Sequence, residues 1–202
     1  MLFRRWRRPP REDPAETVHR AGGLWFSQVI AEAQARLADA PRDARAAFAA
    51  WCAEQALIAS VPRLAENDRA ARSRWMSALA KVWDSLDTRS DDAREVLAAE
   101  LQAVDQALST SEGETLDEDG VAACIYAVQT YVADDREAPG WAAQRAIDAV
   151  FPGAAMDSSD LATDALRPSV QQLLRKMQAT VELLVSHGVN HSTLTQLRRV
   201  AY

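Results

Sequence analysis

Apolar residues recur along most of this chain at spacings of three and four, the period of an α-helix. The clearest stripe is Leu97, Leu101, Val104 and Leu108, which repeats at 4-3-4, the seam of a bundle helix. A second runs through Val170, Leu173, Leu174, Met177, Val181 and Leu184, and a third through Val121, Ile125, Val128 and Val132, with Cys124 and Tyr131 adjacent. Trp75, Leu79, Val82 and Leu86 form another, flanked by Met76 and Trp83. Phe48, Trp51, Cys52 and Ile58 fall near one face of a further helix. No run alternates with period two for long enough to argue a strand. No repeat of fixed period is visible.

Breakers and capping residues divide the stripes. A first helical segment is expected from about Ala15 to Ala38, with Trp25, Phe26, Val29, Ile30 and Leu37 apolar and Gly22-Gly23 as a point where it splits. Pro41 ends it, and Asp43 reads as the N-cap of a second helix reaching about Ser60. Pro62 interrupts the chain, and Asn67 or Asp68 caps a third helix. Asp91 or Asp92 caps a fourth. Residues Ser109–Gly120 read as a polar, acidic loop before the fifth. Pro139 suits the first position of a sixth helix carrying Trp141, Ile147, Val150 and Phe151. Met156–Arg167 reads as loop, Pro168 opens the long seventh helix, and Gly188 fits its C′ position. Asn190 or Ser192 caps a short last helix with Leu194, Leu197 and Val200. The expectation is an all-α, single-domain bundle of seven or eight helices with short connections over residues 15–202, preceded by a mobile arm over 1–14.

Composition sharpens this picture. The 40 Ala against 7 Gly and 8 Pro favour helix and allow helix axes to approach closely. At 202 residues the chain buries enough surface to fold without disulfides or metals. Cys52 and Cys124 both lie within apolar helical patterns and read as buried free thiols of a reducing cytosol. The 21 Arg against 2 Lys, with the alanine, suit a GC-rich bacterial genome.

Charge is uneven. Arg4, Arg5, Arg7, Arg8 and Arg11 against Glu12 give the first 12 residues +4, which leaves −10 on the remaining 190. Such a body repels nucleic acid and anionic lipid and suits a basic partner. No apolar run reaches 18 residues, so no membrane span is expected. The start has the charge of a signal peptide but no apolar region after it, and a cytoplasmic location follows as the expectation.

Four stretches carry a family resemblance. They are Phe48-Ala49-Ala50-Trp51-Cys52-Ala53-Glu54-Gln55 with Pro62 and Leu64, then Val82-Trp83-Asp84-Ser85-Leu86, then the fourth helix through Leu108 to Ala123–Val132, and last Val170–Arg198 with its Leu194-x-x-Leu197-Arg198 ending. Over about residues 37–202 their order and spacing resemble the YjaG-like bacterial family of unknown function. The resemblance implies an all-helical bundle and no assigned activity. Gln55 stands where that family pattern implies an arginine, and residues 1–36 read as an extension.

Candidate chemistry is sparse. There is no G-x-G-x-x-G, P-loop, H-E-x-x-H, C-x-x-C or G-x-S-x-G. Of the three histidines, His19 lies in a polar first turn. His187 and His191 stand four apart, a metal-ligand spacing on a helix, but Gly188 and Asn190 between them predict a turn. The acidic run Glu112, Glu114, Asp117, Glu118 and Asp119 fails as a calcium loop. With Gly120 at the sixth position, Thr115 and Tyr126 occupy the first and twelfth. Neither a metal nor a cofactor is expected.

That run reads instead as the contact surface for a basic protein partner, joined by Asp134 and Asp135 if the fifth and sixth helices pack antiparallel. Trp75, Trp83 and Trp141 read as core, with Trp25 and Trp51 similar. Trp6 sits among Arg4, Arg5, Arg7 and Arg8, a mixture suited to phosphate backbones and stacked bases, though so short an arm binds weakly. The sequence thus points to a non-enzymatic protein that binds a protein partner, in its most concrete form an immunity-type protein neutralising a basic toxin. The alternatives are a nucleic-acid-associated factor using the arm, or a small-ligand binder or enzyme with a pocket among the tryptophans. A homodimer also fits the Ala-rich helices.

Overall fold

A computed structural model describes residues 28–60, 68–110, 119–150 and 168–201. Among these residues the chain forms eight helices and no strand, and about 90% of them are helical. In chain order they are α1 (28–38), α2 (Arg42–Ser60), α3 (Asp68–Thr88), α4 (Asp92–Thr110), α5 (Asp119–Ala133), α6 (Ala138–Val150), α7 (Pro168–His187) and α8 (His191–Ala201). The all-α, single-domain bundle read from the sequence is the fold observed. The basic arm, with Arg4, Arg5, Trp6, Arg7 and Arg8, lies outside the described residues, as do Ala15–Ser27 and Trp25.

The architecture is organised around α2. Fourteen of its nineteen residues are buried, including Trp51 and Phe48 and a run of small residues from Ala44 to Ala53. A helix buried on every side must be the centre of its bundle. Its alanines let α5 and α6 lie against it, and those helices bring small residues of their own: Ala123 and Ala127 from α5, Ala142, Ala143 and Ala146 from α6. One apolar core results, to which α1, α3, α4, α7 and α8 add Leu37, Trp83, Leu97, Leu174 and Leu197. The same close approach shows at Gly140 in α6, whose missing Cβ leaves room for the Gln34 side chain.

The helix ends follow local chemistry. The α2 start differs from expectation: Pro41 O accepts the first N–H groups, at 2.9 Å from Ala44 and 3.3 Å from Arg45, so Pro41 holds the cap position. Asp43 lies one residue inside, where a carboxylate still favours the helix dipole. After α3, Arg89 takes a left-handed φ of 56° and Ser90 N–H reaches back 3.2 Å to Ser85 O, closing a Schellman-type turn without glycine. Gly188 plays that part after α7, with φ 65° and a 3.0 Å bond to Leu184 O. Asn190 caps α8, its Oδ1 accepting Thr193 N–H at 3.0 Å.

Two sequence expectations for the core fail. Trp141 is 53% exposed, and Ile58 is 44% exposed. In α6 the buried face is the alanine face, Ala138, Ala142, Ala146 and Ala149, and Trp141 stands off it, stacked on Tyr126 at 6.3 Å between ring centroids. Ile58 lies where α2 emerges from its neighbours. The cysteines sit as expected: both are free and buried, and burial pushes the Cys52 thiol well above its ordinary pKa. A thiol that is both covered and protonated is a poor nucleophile. The native protein is therefore expected to leave Cys52 and Cys124 unmodified by a thiol-reactive dye at pH 8, and to release two equivalents of reaction only in denaturant. Rapid native labelling would show that this core opens readily.

Candidate functional site

Of the acidic residues singled out in the sequence, Asp119, Asp134 and Asp135 are described. Glu112, Glu114, Asp117 and Glu118 lie outside the described residues. Asp119 opens α5, and Asp134 and Asp135 follow its end, so they stand about 20 Å apart along one helix. Helices α5 and α6 do pack antiparallel, since Asp119 at the start of α5 pairs at 3.0 Å with Arg145 late in α6. Asp119 thus lies at the opposite end of α5 from Asp134 and Asp135.

Each described acid is already engaged. Burial works against the Arg145 charge, but the hydrogen bond and attraction of Asp119 outweigh it and leave the guanidinium pKa raised. Asp135 Oδ1 accepts the N–H groups of Glu137 at 2.8 Å and Ala138 at 3.1 Å, which are orphan donors at the α6 start. Asp134 takes φ 56° and pairs with Arg45, a buried arginine of α2. Arg45 also donates to the carbonyls of Ala38 and Ala40, so one side chain ties the end of α1 and the end of α5 to α2. These acids hold the fold together.

The histidine pair separates as the turn signals predict. His187 ends α7, and His191 opens α8 with Nδ1 2.9 Å from Asp87 Oδ1 on α3. Among the described residues, no three His, Cys, Asp or Glu side chains gather where they could hold a metal ion. No described helix is long and apolar enough to cross a membrane.

Polar and apolar groups do converge elsewhere, in a cleft of about 340 Å³ between α2, α3 and α8. Leu57 and Leu79 give it an apolar lining with Ala80, and Ile58 and Met76, the latter 50% exposed, stand at its mouth. Glu54, Trp83 and Arg198 supply the polar end, and Arg72 lies on the α3 wall with Nη2 donating to Leu57 O. The Arg198 guanidinium sits 5.9 Å from the centroid of the Trp83 ring, a cation–π distance.

Glu54 is the unusual member. Its Oε2 and the indole Nε1 of Trp83 are both buried without a hydrogen-bond partner of normal geometry. Burial drives the Glu54 carboxyl from 4.5 up to about 7, against an opposing pull from Arg198 and a weaker one from the neighbouring Trp83 N–H. A carboxyl with its pKa raised by burial, beside a stacked guanidinium in an apolar cleft, marks this as the candidate site among the described residues.

Compared with known families, curated proteins and solved structures, the chain matches none. The site is read from its own geometry. Sequence reasoning missed it because Glu54, Trp83 and Arg198 belong to three helices and share no motif. The available signal was Glu54 itself, a carboxylate inside the most apolar stretch of α2.

Two measurements check these assignments. Removing the Asp134 carboxylate leaves the buried Arg45 charge uncompensated; because Asp134 is half exposed, Asp134→Ala is expected to cost about 2 kcal/mol rather than the larger penalty of a fully buried pair. Urea unfolding reads this directly, and a loss below about 0.5 kcal/mol would mean the pair is dispensable.

The second is a pH profile. Glu54 binds its proton more tightly folded than unfolded, so stability falls as pH rises from about 4.5 to about 7. The full effect is on the order of 3 kcal/mol at most. Glu54→Gln is expected to remove this component, leaving the variant more stable than the parent at pH 8 and nearly equal at pH 4.5. Identical profiles for the two proteins would refute the assignment.

Proposed function

We propose that this chain is a non-enzymatic binding protein that docks a protein partner, and that the cleft between α2, α3 and α8 receives the partner's apolar anchor. The observation that carries the reading is the exposure of Ile58 and Met76 at the mouth of a concave, mainly apolar cleft. Interfaces concentrate their energy where an anchor fills such a pocket and excludes water. The strongly acidic body favours a basic partner, because complementary charge speeds encounter at long range. An immunity-type protein held against a basic toxin is the concrete form of this reading. The cytoplasm is its proposed setting.

Substituting the exposed side chains tests the reading without disturbing the core. Met76→Glu and Ile58→Glu place charge at the cleft mouth and are expected to change stability by about 0.5 kcal/mol or less. The wild-type chain is expected to recover one protein in stoichiometric amount from native lysate, with nuclease present, and Met76→Glu to lose it. Equal recovery by both, or recovery of nothing by the wild type, would defeat the proposal.

A further inference from the structure

The cleft carries more information than its apolar lining. At its polar end the donors outnumber the one acceptor, the Glu54 carboxyl, whose Oε2 is itself without a hydrogen bond of normal geometry. Arg198 is exposed, stacked on Trp83, and makes no ion pair or hydrogen bond with the described residues. A guanidinium presents five N–H groups in a planar fork and accepts none. Trp83 Nε1 is donor-only and buried, and stands beside Glu54 without a hydrogen bond of normal geometry. Glu54 adds an O–H donor whenever it is protonated, which its surroundings favour near neutral pH. These donors exceed what Glu54 can accept, and Glu54 in its protonated form leaves the Arg198 charge uncompensated, so this end suits a further acceptor carrying one negative charge.

A carboxylate meets both demands, because its two oxygens match the guanidinium fork and still accept from neighbouring donors. A doubly charged phosphate fits less well: its second charge would meet the partly ionised Glu54, and the other arginine of the cleft, Arg72, is already donating to Leu57 O. The rest of the cleft, from Leu57 and Leu79 out to Met76, suits a hydrocarbon group attached to that carboxylate.

We infer that the cleft captures an apolar group bearing a carboxylate, with Arg198 on the carboxylate and the Leu57–Leu79 side around the hydrocarbon. This rests on the reading of the cleft as the partner-binding site. In that setting the occupant is the C-terminal residue of the partner chain, carrying an apolar side chain and its free α-carboxylate. Capture of a C-terminal carboxylate is an established recognition mode, ordinarily by backbone N–H groups, and here the side-chain donors of Arg198 and Trp83 take that part.

The test uses the full chain and three probes followed by calorimetry: an acetylated pentapeptide ending in leucine with a free carboxyl, the same peptide as its C-terminal amide, and octanoate. The free-acid peptide is expected to bind. The amide is expected to bind at least about tenfold more weakly, and Arg198→Gln to weaken the acid by a similar factor, the scale of losing a charge-assisted hydrogen bond. Arg198 is on the surface, so circular dichroism and Tm of the variant are expected to match the parent.

Binding of octanoate but not of the peptide would keep the carboxylate chemistry and overturn the chain terminus as its source. Equal binding of acid and amide, or an Arg198→Gln variant that binds as well as the parent, would overturn the inference. If no probe binds while Met76→Glu still abolishes the partner complex, this inference falls and the partner-binding reading stands. If the acid peptide binds and Met76→Glu leaves the partner complex intact, the carboxylate site stands and the partner-binding reading falls.

Discussion

Everything in this fold depends on how closely other helices approach α2. A helix surrounded on all sides cannot carry many large side chains, because its neighbours would be held apart and the space between them left unfilled. Ala44, Ala46, Ala47, Ala49, Ala50, Ala53 and Ala56 resolve that conflict. They bring the axes of α5 and α6 in, while Phe48 and Trp51 fill the larger gaps. Dense packing of this kind tolerates little change in volume. Arg45 is the one charged side chain buried in this helix, and it is spent on carbonyl groups that α1 leaves unsatisfied and on Asp134.

The candidate site exists because α2 is not covered along its whole length. Toward its second half it emerges between α3 and α8, which leaves Glu54 partly desolvated, with Leu57 beneath and Ile58 at the surface. Burial enough to raise a carboxyl pKa, and exposure enough to admit a ligand, come from the same geometry. The Trp83 ring serves both roles as well. It is part of the core, and its face offers Arg198 a seat.

Much of the fold was legible in the sequence because the 3.6-residue period of large apolar side chains marks helices wherever those side chains form the buried stripe. Leu97, Val128, Leu174 and Leu184 are buried as their stripes require. The reading failed where alanine forms the stripe. In α6 the eye follows Trp141, but the alanines face the core and the tryptophan does not. Alanine carries too weak a hydrophobic signal to reveal which side is inside. The structural work of Asp134 and Asp135 was hidden for a different reason. Sequence shows that Asp134 and Asp135 are charged, not that one answers a buried arginine and the other the start of a helix. The cleft was invisible because its three polar members come from positions 54, 83 and 198, brought together only by packing.

The central position of α2 also has a temporal side. Its main cover comes from α5 and α6, and α6 ends at Val150, ninety residues beyond Ser60. At ordinary translation rates that interval lasts on the order of ten seconds. Throughout it the most extensively buried of the described helices has left the ribosome without the surfaces it is built to meet. Helices α3 and α4 emerge first and shield it only in part. The order in which this chain is synthesised thus runs against the order in which its core closes, and α2 stays short of its main cover until α6 has been made.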